Sequence, residues 1–497
     1  MSDTWGVATV CVVYLALSLG VGLWPARRSS PTAAGFVAGD RTLGLVLLYF
    51  ITGATIFSSF AFLGAPGWAY SRGAAAFYIL AYGALGMIPF YFCGPGAARV
   101  GRAFGYVTQA EMVADRFKKP SIAFVMAVVS VVAFVPYLAL QIQGAGKVLE
   151  VVTDGFLPQR VGGALVYSVV LIYVLRSGVL GVGWTNTFQG ILMIGLAWGL
   201  GLYLPYKLYG GVGPMFEQIA AQRPELLVPP GLTSSGEPWN WGGFTTAVLV
   251  SILGFSFWPH AFMKAFTARD EKTIRRTVVL YPTFQIFLVP VFLMGFCGVL
   301  FATAPAEPDQ ILPHLLTNLD LPAIVVGLFC AGALAASMSS GDAMAHAAGS
   351  IAVRDGLVTG LGVRLDEEQQ RSWIRVAIVL TLVAAYVLAF LYRGSLVALL
   401  LFAYGPIVQF APIVLATLFW RKASANGVLW GLIAGTVTTT FFAIYGDLRP
   451  FNLHAGILGL GPNILLLIGL SLVSGRAPDP HEARFVAHAR GGWRPNS

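Results

Sequence analysis

The chain is expected to fold as an all-α polytopic membrane protein with about 13 transmembrane helices. Its composition is the first reason. Of 497 residues, 57% are hydrophobic and 11% charged, with a mean hydropathy of +0.75, which leaves too little polar surface to cover a water-soluble globule. Spacing is the second: apolar windows of about 20 residues, the length that crosses a roughly 30 Å hydrocarbon core, recur along the chain. The third is that two of these windows, residues 52–70 and 251–266, interrupt their own helices with glycine and proline.

The window centred near Val12 follows a start that carries an acid and no basic n-region, so it is expected to stay as a membrane anchor and not to be cleaved. The window near Ile56 contains Gly53, Gly64, Pro66 and Gly67. Windows near Leu85, Val129, Leu171 and Met193 lead to a Pro/Gly-rich loop at 207–243, and the next, near Leu253, contains Gly254 and Pro259. Those near Phe287, Cys330, Val379, Ala403, Gly435 and Leu465 complete the count. An odd number of crossings puts the termini on opposite sides. With the N-terminus outside and the C-terminus cytoplasmic, the outer side keeps only Arg72, Lys147, Arg160, Lys207, Arg223, Arg393 and Arg449 of the 31 lysines and arginines, as the positive-inside rule requires. The net charge of +9 therefore reflects topology, and no nucleic-acid partner is needed to explain it.

Cys11, Cys93, Cys297 and Cys330 stand singly inside windows and read as small packing residues, without metal-ligand spacing or a disulfide. There is no Walker motif and no Gly-x-Ser-x-Gly elbow, which excludes ATP-driven transport by this chain alone and gives no reason to expect an enzyme or an organic cofactor. Backbone broken inside a bilayer is tolerated where protein or a water-filled cavity satisfies it. Two such breaks about 200 residues apart point to secondary transport, with the site between them.

Polar residues inside the windows narrow the chemistry, because each is costly in lipid unless partnered or facing a pathway. The densest run is Ala336-Ser337-Met338-Ser339-Ser340-Gly341-Asp342. Ala336, Ser339 and Ser340 share one helix face and bring a carbonyl and two hydroxyls together. Residues 53–59 of the first break offer further carbonyls, and an all-oxygen set suits a small hard cation such as sodium. Close helix packing with back-bonded hydroxyls is the other reading of the two serines.

These stretches resemble the sodium:solute symporter family. Gly39-Asp40-Arg41-Thr42-Leu43-Gly44 resembles its Gly-x-Arg-x-x-Gly entry to the first broken helix, and residues 54–67 (ATIFSSFAFLGAPG) resemble that helix. Trp184-Thr185-Asn186-Thr187-Phe188-Gln189-Gly190 resembles its Trp-Thr-Asp-x-x-Gln-Gly motif. Phe257-Trp258-Pro259-His260 resembles the second break, and residues 336–342 resemble the sodium site. The resemblance implies a LeuT-like core of two inverted five-helix repeats, 42–210 and 244–420, preceded by a helix and loop at 1–41. The loop 211–243 would join the repeats, and two extra helices at 421–475 and a cytoplasmic tail at 476–497 would follow. It also implies sodium ligands at the carbonyls of Ala54, Phe57 and Ala336 and the hydroxyls of Ser339 and Ser340, and a multi-pass location in the plasma (inner) membrane. Two departures stand out: Ile56, where the family often has a polar residue, and Asn186, where it has an acid.

Expected solute contacts are Ser58, Ser59, Tyr137, Gln141, Ser251, Phe255, Trp258 and Pro259; Tyr137 and Gln141 lie one turn apart on a shared face and also fit a role as interhelical hydrogen-bonding groups. The motifs around Gly105-Tyr106-Val107-Thr108, residues 136–141 and residues 257–260 are most similar to the monocarboxylate and pantothenate permease branches. A monocarboxylate such as acetate, pyruvate or lactate is thus the leading solute, with a proline-like amino acid or pantothenate as the alternative. No Lys or Arg is expected mid-span, so half-helix N-termini and hydroxyls would hold the carboxylate. Asn186 and Asp342 are expected at the ion exit or gate. Asp342 lies roughly 27 Å along its span from Ile324 at 1.5 Å per residue, near the cytoplasmic mouth, and its spacing from His346 also permits a proton relay. A transporter-like sensor would need an output domain, and the chain ends about twenty residues after its last window. A passive channel would not need the oxygen set. The expected partners are the lipid bilayer, the solute and sodium, with no obligate protein partner.

Overall fold

The computed structural model describes residues 4–28, 32–319, 321–392, 396–474 and 479–491. Arg393 and, of the tail at 476–497, residues 476–478 and 492–497 lie outside that range. Among the described residues, ten helical stretches are long and apolar enough to cross a bilayer, or eleven when the pair Trp241–Phe255 and Pro259–Thr267, bent by 44°, counts as one.

The helices that build the site are α1 (Thr4–Leu23), α2 (Leu45–Ile56), α3 (Ala65–Arg72), α4 (Ile88–Phe104), α5 (Pro120–Val152), α6 (Gln159–Tyr209), α7 (Trp241–Phe255), α8 (Glu271–Gln285), α9 (Ala323–Ile351), α10 (Glu367–Leu391) and α11 (Leu396–Ile407). A further helix, α12 (Pro480–Arg490), packs on the outside of this set. The difference from 13 windows has two sources. Windows near Leu171 and Met193 fall in the 51 residues of α6, where Gly178 (φ 56, ψ −148) breaks the helix without ending it. The window near Ile56 is split: α2 has only 12 residues, and its remainder joins the Leu85 window in the stretch Phe60–Phe104.

Local chemistry accounts for the ends. Thr108 and Glu111 form a capping box at Gln109–Arg116, and Asp366 with Gln369 forms another at α10. Residues 269–272 read as a solvated loop; Arg269 is an exposed bend, but Asp270 caps α8, its carboxylate accepting from Thr273 N–H at 2.7 Å, and Glu271, the first helical residue, pairs with Arg99. Acids at a helix N-terminus satisfy its free N–H groups and its dipole, and a loop reading overlooks that. The loop 207–243 also contains a helix, Val212–Gln222.

The centre of the bundle is α9, buried almost throughout its length. Small residues permit this. A Cβ on Gly341 would lie 2.2 Å from the Tyr167 hydroxyl of α6, so the absence of a side chain lets the Tyr167 ring pack directly on the α9 backbone. At one end of the bundle, α12 docks through the buried Phe485 and through its carbonyls at His488 and Ala489, which accept from Arg99.

Candidate ion and solute site between the broken helices

The first break begins where α2 stops: Phe57 (φ −81, ψ 74) leaves the helical region, and a wide-turn segment, Phe60–Gly64, leads into α3. The freed backbone groups must find partners in the bilayer interior. Those partners are polar side chains of α9 and α5. Ser339 Oγ donates to Ala54 O at 2.9 Å and lies 3.2 Å from Ala336 O, and Ser340 Oγ donates to Thr55 O at 2.6 Å. Gln141 Oε1 accepts from Ser59 N–H at 2.9 Å, and Ser58 Oγ accepts from Phe60 N–H at 3.2 Å.

The break and α9 therefore bring together Ala54, Ala336, Ser339 and Ser340, all fully buried. No hydrogen bond joins Phe57 to either serine among the described residues; its ring stacks on Phe284 at 5.1 Å and meets Phe287 edge-on at 4.8 Å. Thr55, not singled out from the sequence, supplies a carbonyl to this group. Its position beside Ala54 in the break was the available signal. The cluster offers only oxygen atoms, as a small hard cation requires.

A second polar group continues from the first. Thr55 Oγ1 donates to Asn186 Oδ1 at 3.1 Å, and Asn186 Nδ2 donates to both oxygens of Asp342 at 3.1 Å. Tyr173 Oη and Thr185 Oγ1 also donate to Asp342, at 2.8 and 3.0 Å. Asp342 is thus 0% exposed and saturated with donors, which corrects the view of an acid at a wet mouth. The helix runs on beyond it and α6 covers it, facts that a count from Ile324 does not include. His346, one turn on, engages the Phe36 carbonyl at 3.0 Å and makes no hydrogen bond to Asp342.

At the second break α7 ends at Phe255, Ser256 Oγ donates to Gly86 O at 2.5 Å, and Pro259 opens the next short helix, Pro259–Phe262. Trp258 lies against Tyr137 (5.1 Å), Phe134, His260 and Tyr404 (each 5.6 Å). Phe255 meets Tyr281 at 5.7 Å and Tyr82 at 6.2 Å. The structure thus joins Ser58, Ser59 and Gln141 at one break and Tyr137 and Trp258 at the other, with Tyr137 and Gln141 one turn apart on α5. Ser251 lies one turn before Phe255, and no hydrogen bond links it to the others. Ser59 Oγ, Gln141 Nε2 and Ser251 Oγ are buried without hydrogen-bond partners among the described residues. Such groups are costly and mark where a polar solute fits. Tyr82, Tyr281 and Tyr404 complete the aromatic wall; sequence reasoning missed them because nothing local ties them to the breaks.

Lys264, assigned to the cytoplasmic side by the charge count, lies in the last turn of the bent pair and is 4% exposed, so it is buried in the bundle and does not face water. The apolar run through Phe266 was the signal.

Comparisons with known proteins agree with this architecture. A Na+-coupled sialic acid symporter in a substrate-bound, outward-open state superposes with a TM-score of 0.77 at 21% identity, covering 95% of this chain and 98% of that one. A nucleobase-cation-symport-1 family transporter in a closed conformation with bromovinylhydantoin bound gives 0.59 at 14% identity, covering 91% and 97%. Among relatives in sequence, the symporter YhjB of Bacillus subtilis is 28% identical over 480 residues, 93% of this chain and 96% of its own length. The sodium/pantothenate symporter of Escherichia coli is 26% identical over 485 residues, 94% and 95%. The family model of the sodium:solute symporters matches residues 36–435, and with the broken helices, the oxygen cluster and the bundle in agreement, this chain belongs to the sodium:solute symporter family.

Proposed function

We propose that the chain is a sodium-coupled secondary active symporter that imports a small organic solute by alternating access, with a monocarboxylate such as acetate, pyruvate or lactate as the solute. One observation carries this reading: the serine hydroxyls of α9 close on the carbonyls of the first break, Ser339 on Ala54 and Ser340 on Thr55. A sodium ion held by Ala54, Phe57, Ala336, Ser339 and Ser340 would couple the first break to α9 and hold the two halves of the core in the outward-open arrangement, and its loss to the cytoplasm past Asn186 and Asp342 would release them. The solute would sit against Ser58, Ser59, Tyr137, Gln141, Ser251, Phe255, Trp258 and Pro259.

Thirteen crossings are part of this reading. At 1.5 Å per residue the 51 residues of α6 are about 77 Å long, more than twice a hydrocarbon core, so they serve as two crossings meeting near Gly178. The split near Ile56 supplies the other crossing. The layout is then an outside N-terminus, inverted repeats at 42–210 and 244–420, a joining loop at 211–243, two further helices at 421–475 and a cytoplasmic tail at 476–497, in the plasma membrane. Pantothenate, itself a carboxylate, is a second reading, favoured by full-length relatives described as sodium/pantothenate symporters. The test is uptake of labelled pyruvate, acetate, pantothenate and proline into proteoliposomes under an inward sodium gradient, against potassium and proton gradients. Sodium-driven pyruvate or acetate accumulation is expected; uptake indifferent to sodium overturns the mechanism, and uptake of pantothenate or proline alone overturns the leading solute.

A further inference from the structure

Lys264 and His260 lie one turn apart beyond the second break, 4% and 6% exposed, and neither Lys264 Nζ nor His260 Nδ1 has a hydrogen-bond partner among the described residues. Both line one small cavity of about 20 Å³, closed on its far side by Ala343, His346 and Ala347 of α9 and by Val179 and Val182 of α6. No carboxylate lines it. The acid beside it in sequence, Asp342, is already held by Tyr173, Thr185 and Asn186, and His346 is committed to the Phe36 carbonyl. The Asp342 carboxylate acts on Lys264 through space without lining the cavity or accepting a hydrogen bond from it, and a buried ammonium with no acceptor in contact is costly and leaves a place for an anion. The cavity also adjoins the aromatic wall, because the His260 ring lies 5.6 Å from Trp258 and 6.2 Å from Tyr137.

We propose that Lys264 and His260 form a carboxylate-binding station on the cytoplasmic side of the second break, which receives the acid head of the solute after it leaves the central site. The proposal rests on the reading above that the solute carries a carboxylate. In this conformation the cavity, at about 20 Å³, has room for no more than a single water, and it widens to admit the carboxylate when the two halves separate. The ammonium repels sodium, so the two cargoes leave by different routes: sodium along Thr55, Asn186 and Asp342, the acid along His260 and Lys264.

The test compares half-saturation from each face in proteoliposomes of wild type, Lys264→Met and Lys264→Arg, with pyruvate, pantothenate and proline as labelled probes. For whichever probe is carried, Lys264→Met is expected to raise the half-saturating concentration for efflux from the cytoplasmic face roughly tenfold, a loss typical of one charge-assisted hydrogen bond. The value for uptake from the outer face is expected to stay within about twofold, and Lys264→Arg is expected to restore most of the cytoplasmic affinity. Equal changes at both faces, or none, overturn the station. If proline alone is carried, the monocarboxylate reading fails while the station is still scored on proline's own carboxylate. Methionine matches lysine in length and removes an unpaired charge, so the variant is expected to fold; a thermal midpoint at or above that of wild type checks this.

Discussion

Ser340 makes its hydrogen bond across the first break to Thr55 O at 2.6 Å, and Ser339 reaches Ala54 at 2.9 Å. Removing one such hydroxyl costs about 1–3 kcal/mol in a buried site, so Ser340→Ala is expected to raise the half-saturating sodium concentration roughly tenfold or more, measured as sodium-dependent uptake, with the protein still folded. Asp342 tests the neighbouring group. Asp342→Ala strands the donors of Tyr173, Thr185 and Asn186, a cost of at least about 2 kcal/mol, and should lower the thermal midpoint, whereas Asp342→Asn keeps an acceptor and should lower it less. The serines were legible because their spacing puts them on one face of a single helix. The donors around Asp342 were not, since Tyr173 and Thr185 come from α6 on either side of Gly178, and their convergence depends on a backbone break at φ 56 that no local pattern specifies. Lys264 was misplaced because counting charges near a helix end assigns them to water, while the bend at Pro259 turns that end inward.

The broken helices are latched to one another at one end of the bundle. Arg41, ahead of α2, donates to Phe266 O at 3.2 Å and to Gly101 O and Tyr106 O at 2.9 Å, and Leu43 pairs with Thr267 and Arg269 through backbone hydrogen bonds of 3.1 and 2.9 Å. Arg41→Ala removes three bonds between α2's entry, α4 and the second broken helix. Labelling of a cysteine placed at Ala268 is therefore expected to quicken severalfold in that background, and an unchanged rate would show that the backbone pairing alone holds the latch. A second restraint lies in the turn Pro308–Gln310, outside the spans, where Asp309 Oδ2 accepts from Leu396 N–H at 3.0 Å at the start of α11. Burial pushes the Asp309 carboxyl above its usual range. The folded protein thus holds this proton more tightly than the unfolded chain, so the stability linked to it is fully present below the unfolded pKa and declines as pH rises through the folded one. Asp309→Asn keeps the acceptor without the charge. It is expected to raise the thermal midpoint at neutral pH, with the difference closing near about pH 3, where aspartate itself is protonated.

For the molecule as a transport machine, the all-helical membrane fold and the two interrupted windows were readable because the bilayer imposes a length on every crossing. How consecutive windows join was not, since Gly178 kinks α6 without ending it and the break after Ile56 leaves α2 at 12 residues. The aromatic wall was equally hidden, because Tyr82, Tyr281 and Tyr404 come from three separate helices and converge on Phe255 and Trp258 only in the folded bundle. What the bundle carries is open to a measurement that needs no binding site to be assigned, because membrane voltage acts on the net charge of the whole cycle. With one sodium ion per cycle, as proposed above for the cluster of the first break and α9, one positive charge moves with the solute. With a monocarboxylate the moving complex is neutral, and steady-state accumulation should not respond to voltage. With a zwitterion such as proline it carries one charge, and about 100 mV, inside negative, contributes about 2.3 kcal/mol, or roughly 50-fold in accumulation. Pyruvate accumulation at a fixed sodium gradient, with the potential set by potassium and valinomycin, is therefore expected to stay flat as the interior is made more negative. A rise with voltage would mean that more than one sodium ion crosses with each acid, and would send the search for a second ion to the Thr55, Asn186 and Asp342 group, where the buried carboxylate already supplies the compensating charge.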